Sequence, residues 1–177
     1  MNRLFGTPQD LDWGFIIIST DSNHINLENT VKSIRANYDN APITCVYCKE
    51  IKDLKCQNIT LVSSKPNYAA MINSGMESTN NDWNIIFIAG THVRKSIAKK
   101  YSMFIESEND VLFPNDLKRS NFIDGTINGL CLHKEFFKRV GNFNESSEKL
   151  EHSKAEWGFN AISYGVKFKA ICNTKSI

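Results

Sequence analysis

The chain predicts an α/β protein, a three-layer α/β/α sandwich around a mostly parallel central sheet, within one domain spanning residues 1–177. Three observations carry that expectation. Apolar runs such as Trp13–Thr20 are near-continuous, as in strands covered on both faces. Amphipathic helical stretches alternate with these runs, which favours right-handed βαβ units. A length of 177 residues with 41% hydrophobic content supports one sizeable core but hardly two.

The elements follow in order. Trp13–Thr20 ends in the turn signal Asp21-Ser22-Asn23, and Leu27, Val31, Ile34 and Tyr38 then recur at spacings of four, three and four, one face of a helix. Ala41–Tyr47 and Asn58–Val62 are the next strands, with the polar stretch Lys49–Lys55 between them. Pro66 and Asn67 announce a helix over Tyr68–Ser78, and Asn80-Asn81-Asp82 turns the chain into a fourth strand, Trp83–Ala89. Val93, Ile97 and Tyr101 mark another helix. Val111–Pro114 reads as a short edge strand closed by proline. Thr126–Leu132 reads as a strand running into a helix over His133–Val140, stopped by Gly141. A last helix covers about Lys149–Tyr164 with Gly165 as its cap, and Val166–Cys172 is the final strand.

Basic and acidic side chains number 21 and 19 and are mixed along the chain, so the composition points to neither a nucleic-acid nor a membrane surface. Met1–Asp12 lacks the apolar core of a leader, and no apolar run approaches the ~20 residues that span a bilayer; a cytoplasmic location is the expectation. Five cysteines in a domain of this size read as reduced, mostly buried thiols. Cys45 and Cys48 have the spacing of half a zinc site but lack a second such pair. The sequence contains neither a glycine-rich phosphate loop nor a Gly-x-Ser-x-Gly nucleophile elbow.

Three strings, in this order, resemble the GT-A glycosyltransferases, in particular the large inverting group called family 2. They are Ile16-Ile17-Ile18-Ser19-Thr20-Asp21-Ser22-Asn23 with the helix carrying Leu27 and Ser33; Asn73-Ser74-Gly75 leading to Trp83–Ile88; and Phe136-Phe137-Lys138-Arg139-Val140-Gly141-Asn142-Phe143-Asn144-Glu145, followed by a helix ending in Tyr164-Gly165-Val166-Lys167. The resemblance covers roughly Trp13 to the C-terminus and implies a nucleotide-diphosphate sugar donor, an acceptor hydroxyl and inverting transfer. Thr20, Asp21, Ser22, Asn73, Thr91 and His92 are the residues it brings to the nucleotide.

The same resemblance implies a divalent metal held by an Asp-x-Asp after the fourth strand. Here that place is Ala89-Gly90-Thr91 followed by His92, with no carboxylate to offer a hard cation, so no metal ligands are assigned. The acidic pair that would act as general base falls on Ser153-Lys154, which leaves Glu156 and Glu151 as the candidate bases. After the second strand, Cys48-Lys49-Glu50 stands where acidic residues recognise the base, with Glu50 or Asp53 as substitutes. Enzymes of this kind carry further C-terminal residues around the acceptor, so a partner subunit or an oligomer is the corresponding expectation. A non-catalytic relative that recognises a glycan or a protein is the alternative. Nucleotidyl transfer on the same broad fold is a third reading, weakened by the lack of a basic phosphate signature near the first loop.

Overall fold

The computed structural model describes residues 11–21, 24–51, 54–115, 122–123 and 126–172. The strands are β1 (Trp13–Ser19), β2 (Ile43–Tyr47), β3 (Thr60–Ser63), β4 (Trp83–Ile88), β5 (Asp110–Asn115), β6 (Leu130–His133) and β7 (Lys167–Cys172). The helices are α1 (His24–Arg35), α2 (Tyr68–Ser78), α3 (Ile97–Ser102), α4 (Lys134–Val140) and α5 (Leu150–Ser163). The strands form a seven-stranded sheet in the order β3-β2-β1-β4-β6-β5-β7. β6 runs antiparallel to both its neighbours, and the other four pairings are parallel.

Side chains alternate across each strand, so β1 sends Ile16 and Ile18 to one face and Phe15 and Ile17 to the other. The first face is covered by α2, α4 and α5, the second by α1 and α3. This is the α/β/α sandwich the apolar runs predict, since strands covered twice need apolar residues at every position. The first core centres on Trp157, whose ring centroid lies 4.9 Å from that of Phe143, 5.9 Å from Phe122 and 6.2 Å from Phe136 and Phe137. Each such aromatic pair adds about 0.5–1.5 kcal/mol beyond the area it buries. The indole Nε1 donates to the Gly141 carbonyl at 2.7 Å, which satisfies the one polar atom the ring takes inside. Gly75 lets α2 lie close to the sheet: a Cβ there would sit 2.7 Å from Cγ2 of Ile16.

Three sequence expectations are corrected. Val111–Pro114 is not at an edge: β5 lies between β6 and β7, and Pro114 pairs with Ile171. The proline is accommodated because β6 meets β5 in register at Leu112 and Cys131, while Gly129, before β6 begins, packs against the Pro114 ring. Residues 126–129 form a turn instead of the start of a strand, with Leu130 N–H donating to Ile127 and Gly129 at φ +93°. The third helix starts at Ile97, and Val93 is buried in the irregular segment ahead of it.

Four of the five cysteines, Cys45, Cys48, Cys56 and Cys131, are free thiols. Burial pushes the Cys45 thiol up to about 12 and Cys131 well above its usual value. Cys45 belongs to the second core and Cys48 packs against the first, so the pair does not converge on a shared metal.

Candidate functional site

The path of the chain locates the site. From β1 the chain passes through α1, on the second face, to β2; from β3 it returns through α2, on the first face, to β4 on the other side of β1. The connections leaving β1 and entering β4 therefore part to opposite faces. In an open α/β sheet this switch point leaves a crevice at the carboxyl ends of the two strands, where ligands bind.

Thr20 and Asp21 follow β1 at this point, and Ala89, Gly90, Thr91 and His92 follow β4. The strands are in register through Ile18 and Ile88, and Ala89 N–H donates to Ile18 at 2.9 Å, so the two sets of predicted residues are neighbours. Thr20 is half-buried and its carbonyl accepts from Cys48 Sγ at 3.5 Å, which ties the loop after β2 to the loop after β1. Asp21 is exposed, and its carbonyl accepts from Ser19 Oγ at 3.2 Å. Ser22 and Asp53 lie outside the described residues. Lys49 and Glu50 are exposed beyond β2.

The segment after β4 is stitched to α1. Gly90, at φ +98°, donates its N–H to the Asn26 carbonyl at 3.0 Å and to Thr30 Oγ1 at 2.9 Å. Val93 N–H donates to Ser33 Oγ at 2.9 Å, and Asn37 Nδ2 donates to the Val93 carbonyl at 3.2 Å. Tyr38 Oη donates to the Lys95 carbonyl and accepts from Ala98 N–H. Thr30 and Ser33 stand at helical spacing beside the apolar stripe, so α1 faces the sheet with one row and this segment with another, and Asn37 extends the contact from the turn after α1. Thr91 Oγ1 donates to Asn128 Oδ1 at 2.9 Å, and the same oxygen accepts from Ile88 N–H at 3.1 Å. His92 is exposed at the rim.

On the first face, residues 141–149 border the same edge of the sheet. Asn67 caps α2, its Oδ1 accepting from Ala69 N–H at 2.8 Å, and its Nδ2 donates to the Glu145 carbonyl at 3.2 Å. Asn73, predicted to meet the nucleotide, is buried inside α2. Its amide donates to the Phe143 carbonyl at 2.9 Å and to Glu145 Oε1 at 3.1 Å, and its oxygen accepts from Phe143 N–H. Lys65 Nζ lies 3.2 Å from Glu145 Oε2. The Asn73 amide, then Lys65, hold the Glu145 carboxyl below its ordinary range.

Of the candidate bases, Glu151 is exposed in the first turn of α5. Glu156 is exposed and accepts from Asn144 Nδ2 at 2.8 Å. Ser153 and Lys154, where the resemblance asks for an acidic pair, are buried, with the Lys154 ammonium 5.0 Å from the Phe122 ring centroid. The residues at the end of β4 do not fit the metal that the resemblance implies: Ala89, Gly90 and Thr91 offer no carboxylate, and among the described residues no three His, Cys, Asp or Glu side chains gather as a metal site. Sequence reasoning missed Asn128 and the pairing of Lys65 with Glu145. The Asn128-Gly129 dipeptide was the available signal, since such pairs mark tight turns.

No protein-family model matches the sequence, and no curated protein does. Solved structures do share the fold. Staphylococcus aureus TarS 1–349, in complex with UDP-GlcNAc, aligns with a TM-score of 0.62 at 13% identity over 94% of this chain and 60% of that one. The catalytic domain of Drosophila β1,4-galactosyltransferase 7, in complex with xylobiose, gives 0.65 at 12% identity over 94% and 67%. A nucleotidyl transferase from Methanothermobacter gives 0.64 at 10% identity over 93% and 88%. The chain spans little more than half of TarS 1–349, 56% in another structure of it. Identities this low establish fold and nothing finer, and the fold is that of the nucleotide-diphospho-sugar transferases.

Proposed function

We propose that the crevice between β1 and β4 binds a nucleotide-diphosphate sugar and that the sugar is passed to an acceptor hydroxyl by inverting displacement, as in the family 2 enzymes the sequence resembles. The observation that carries this reading is the coincidence of the switch point with Thr20, Asp21, Thr91 and His92. Among the described residues, Lys49 and Lys65 are cations carried by loops at the same edge, and with the His92 imidazole they support this reading as groups that could meet a pyrophosphate. In the transfer step the acceptor oxygen bonds to the anomeric carbon as the bond from that carbon to the diphosphate oxygen breaks. The hydroxyl proton passes to the Glu156 carboxylate, which Asn144 orients, and the nucleoside diphosphate leaves. Calorimetric titration with uridine, guanosine, thymidine and cytidine diphosphate sugars, with and without manganese, tests the binding. Heat of binding from at least one donor is the expected result; silence from all of them rejects the reading.

A second reading keeps the fold without the reaction: a module that recognises a glycan or a protein. The burial of Ser153 and Lys154 at the place of the acidic pair favours it. Sugar transfer by the wild-type chain that disappears in Glu156→Gln would exclude it.

A further inference from the structure

From Trp83 to Ile105 the sequence contains no aspartate or glutamate, and Arg94, Lys95, Lys99 and Lys100 fall within seven residues. The fold places this segment on the second face. Val93, Ala98 and Tyr101 are buried beneath it, and Tyr101 Oη donates to the Gly129 carbonyl at 2.6 Å, so α3 is a fixed platform. Arg94, Lys95 and Lys99 are exposed above it; Arg94 and Lys100 also have contacts within the chain. In the turn that follows, Met103 and Phe104 expose 65% and 43% of their surface, and Lys169 Nζ donates to the Phe104 carbonyl at 2.7 Å.

The two faces differ in charge. α1 and residues 91–102 carry six cations, Lys32, Arg35, Arg94, Lys95, Lys99 and Lys100, against one carboxylate, Glu28. α2, α4 and α5 carry Lys134, Lys138, Arg139 and Lys154 against Glu77, Glu135, Glu151 and Glu156.

We infer that the α3 segment is a docking surface for an anionic lipid bilayer, with Lys95 and Lys99 facing the headgroups and Met103 and Phe104 entering the interface. A run of cations beside exposed apolar side chains is the pattern that binds charged membranes, because the two contributions act on the same boundary. A nucleic acid would use the cations alone: a phosphate backbone offers nothing to Met103. Arg35, by contrast, is spent within the protein, donating to the carbonyls of Asp39 at 3.0 Å and Asn58 at 2.7 Å. The surface begins three residues after Thr91, so docking brings the cleft rim to the membrane. The inference stands whether or not the cleft takes a nucleotide sugar.

The test is co-sedimentation of the full chain with phosphatidylcholine vesicles, with and without phosphatidylglycerol, with a short DNA duplex assayed in parallel. Binding to the anionic vesicles alone, weakening as salt rises from about 0.1 M to about 1 M, is expected. Lys95→Gln with Lys99→Gln lowers affinity roughly twenty-five-fold, from about fivefold per cation near such a surface. Met103→Ser with Phe104→Ser weakens vesicle binding while circular dichroism stays native. Equal binding to neutral vesicles, or none to either, overturns the inference. So does tight duplex binding that is indifferent to the Met103 and Phe104 changes.

Discussion

Both faces of the sheet have an apolar core, and two regions, one on each face, are attached by different further means. On the first, α4 and α5 bury a cluster of Phe122, Phe136, Phe137, Phe143 and Trp157 in which ring packs against ring. On the second, α1 and the turn after it bind the 90–98 segment through hydroxyl, amide and backbone contacts, the side-chain partners being Thr30 and Ser33 from α1 and Asn37 and Tyr38 beyond it. Apolar packing is non-directional and tolerates some rearrangement, whereas each hydrogen bond fixes one atom against another. The difference teaches where position matters: hydrogen bonds hold the segments that border the strand ends, 90–98 through Thr30 and Ser33 and 143–147 through Asn67 and Asn73.

Substitutions matched to each face break the comparison in different ways. Trp157→Ala removes the ring about which the first core is arranged and frees the Gly141 carbonyl from its donor. Loss of a buried tryptophan costs about 3–5 kcal/mol, read from chemical denaturation, and is the largest single effect we expect. On the second face, Ser33→Ala deletes only an oxygen, yet it leaves the buried Val93 N–H without its acceptor. An orphaned buried donor costs about 1–3 kcal/mol. Hydrogen exchange at the Val93 amide should accelerate in this variant more than exchange in β4. If both rise together, the segment is held by the fold at large and not by α1.

The sheet was legible in the sequence because doubly covered strands leave uninterrupted apolar runs, and Trp13–Thr20 and Trp83–Ala89 needed only those. Strand order was not legible at β5, where Pro114 suggested an edge; the tolerance comes from where β6 starts, a property of a distant segment. Of the candidate residues, Thr20, Asp21, Thr91 and His92 could be assigned to strand ends, and the structure has them follow the adjacent strands β1 and β4. Asn73 could be singled out but its surroundings could not: its partners, Phe143 and Glu145, are 70 and 72 residues away. The distribution of charge was not legible for a related reason. A near-balanced composition says nothing about sides, and the cations of α1 and α3 share a face only because of how the chain crosses the sheet.

The smallest expected effect lies at the joint between the cleft edge and the first face. Glu145 is ionised more readily than a free glutamate because the Asn73 amide donates to it and Lys65 stands beside it. Its folded value is depressed below 4.5, so its stabilisation is fully present above that pH and is lost as pH falls through the folded value. Glu145→Gln keeps an oxygen for Asn73 but drops the attraction to Lys65, whose exposure limits the loss to about 1 kcal/mol or less at neutral pH. Denaturation of both proteins from pH 7 downward should give a gap that stays constant until the carboxyl begins to protonate and then closes. A gap that persists in strong acid would mean that the side chain acts by shaping residues 141–149, whatever its charge, and the loop would then owe its position to Asn67 and Asn73 alone.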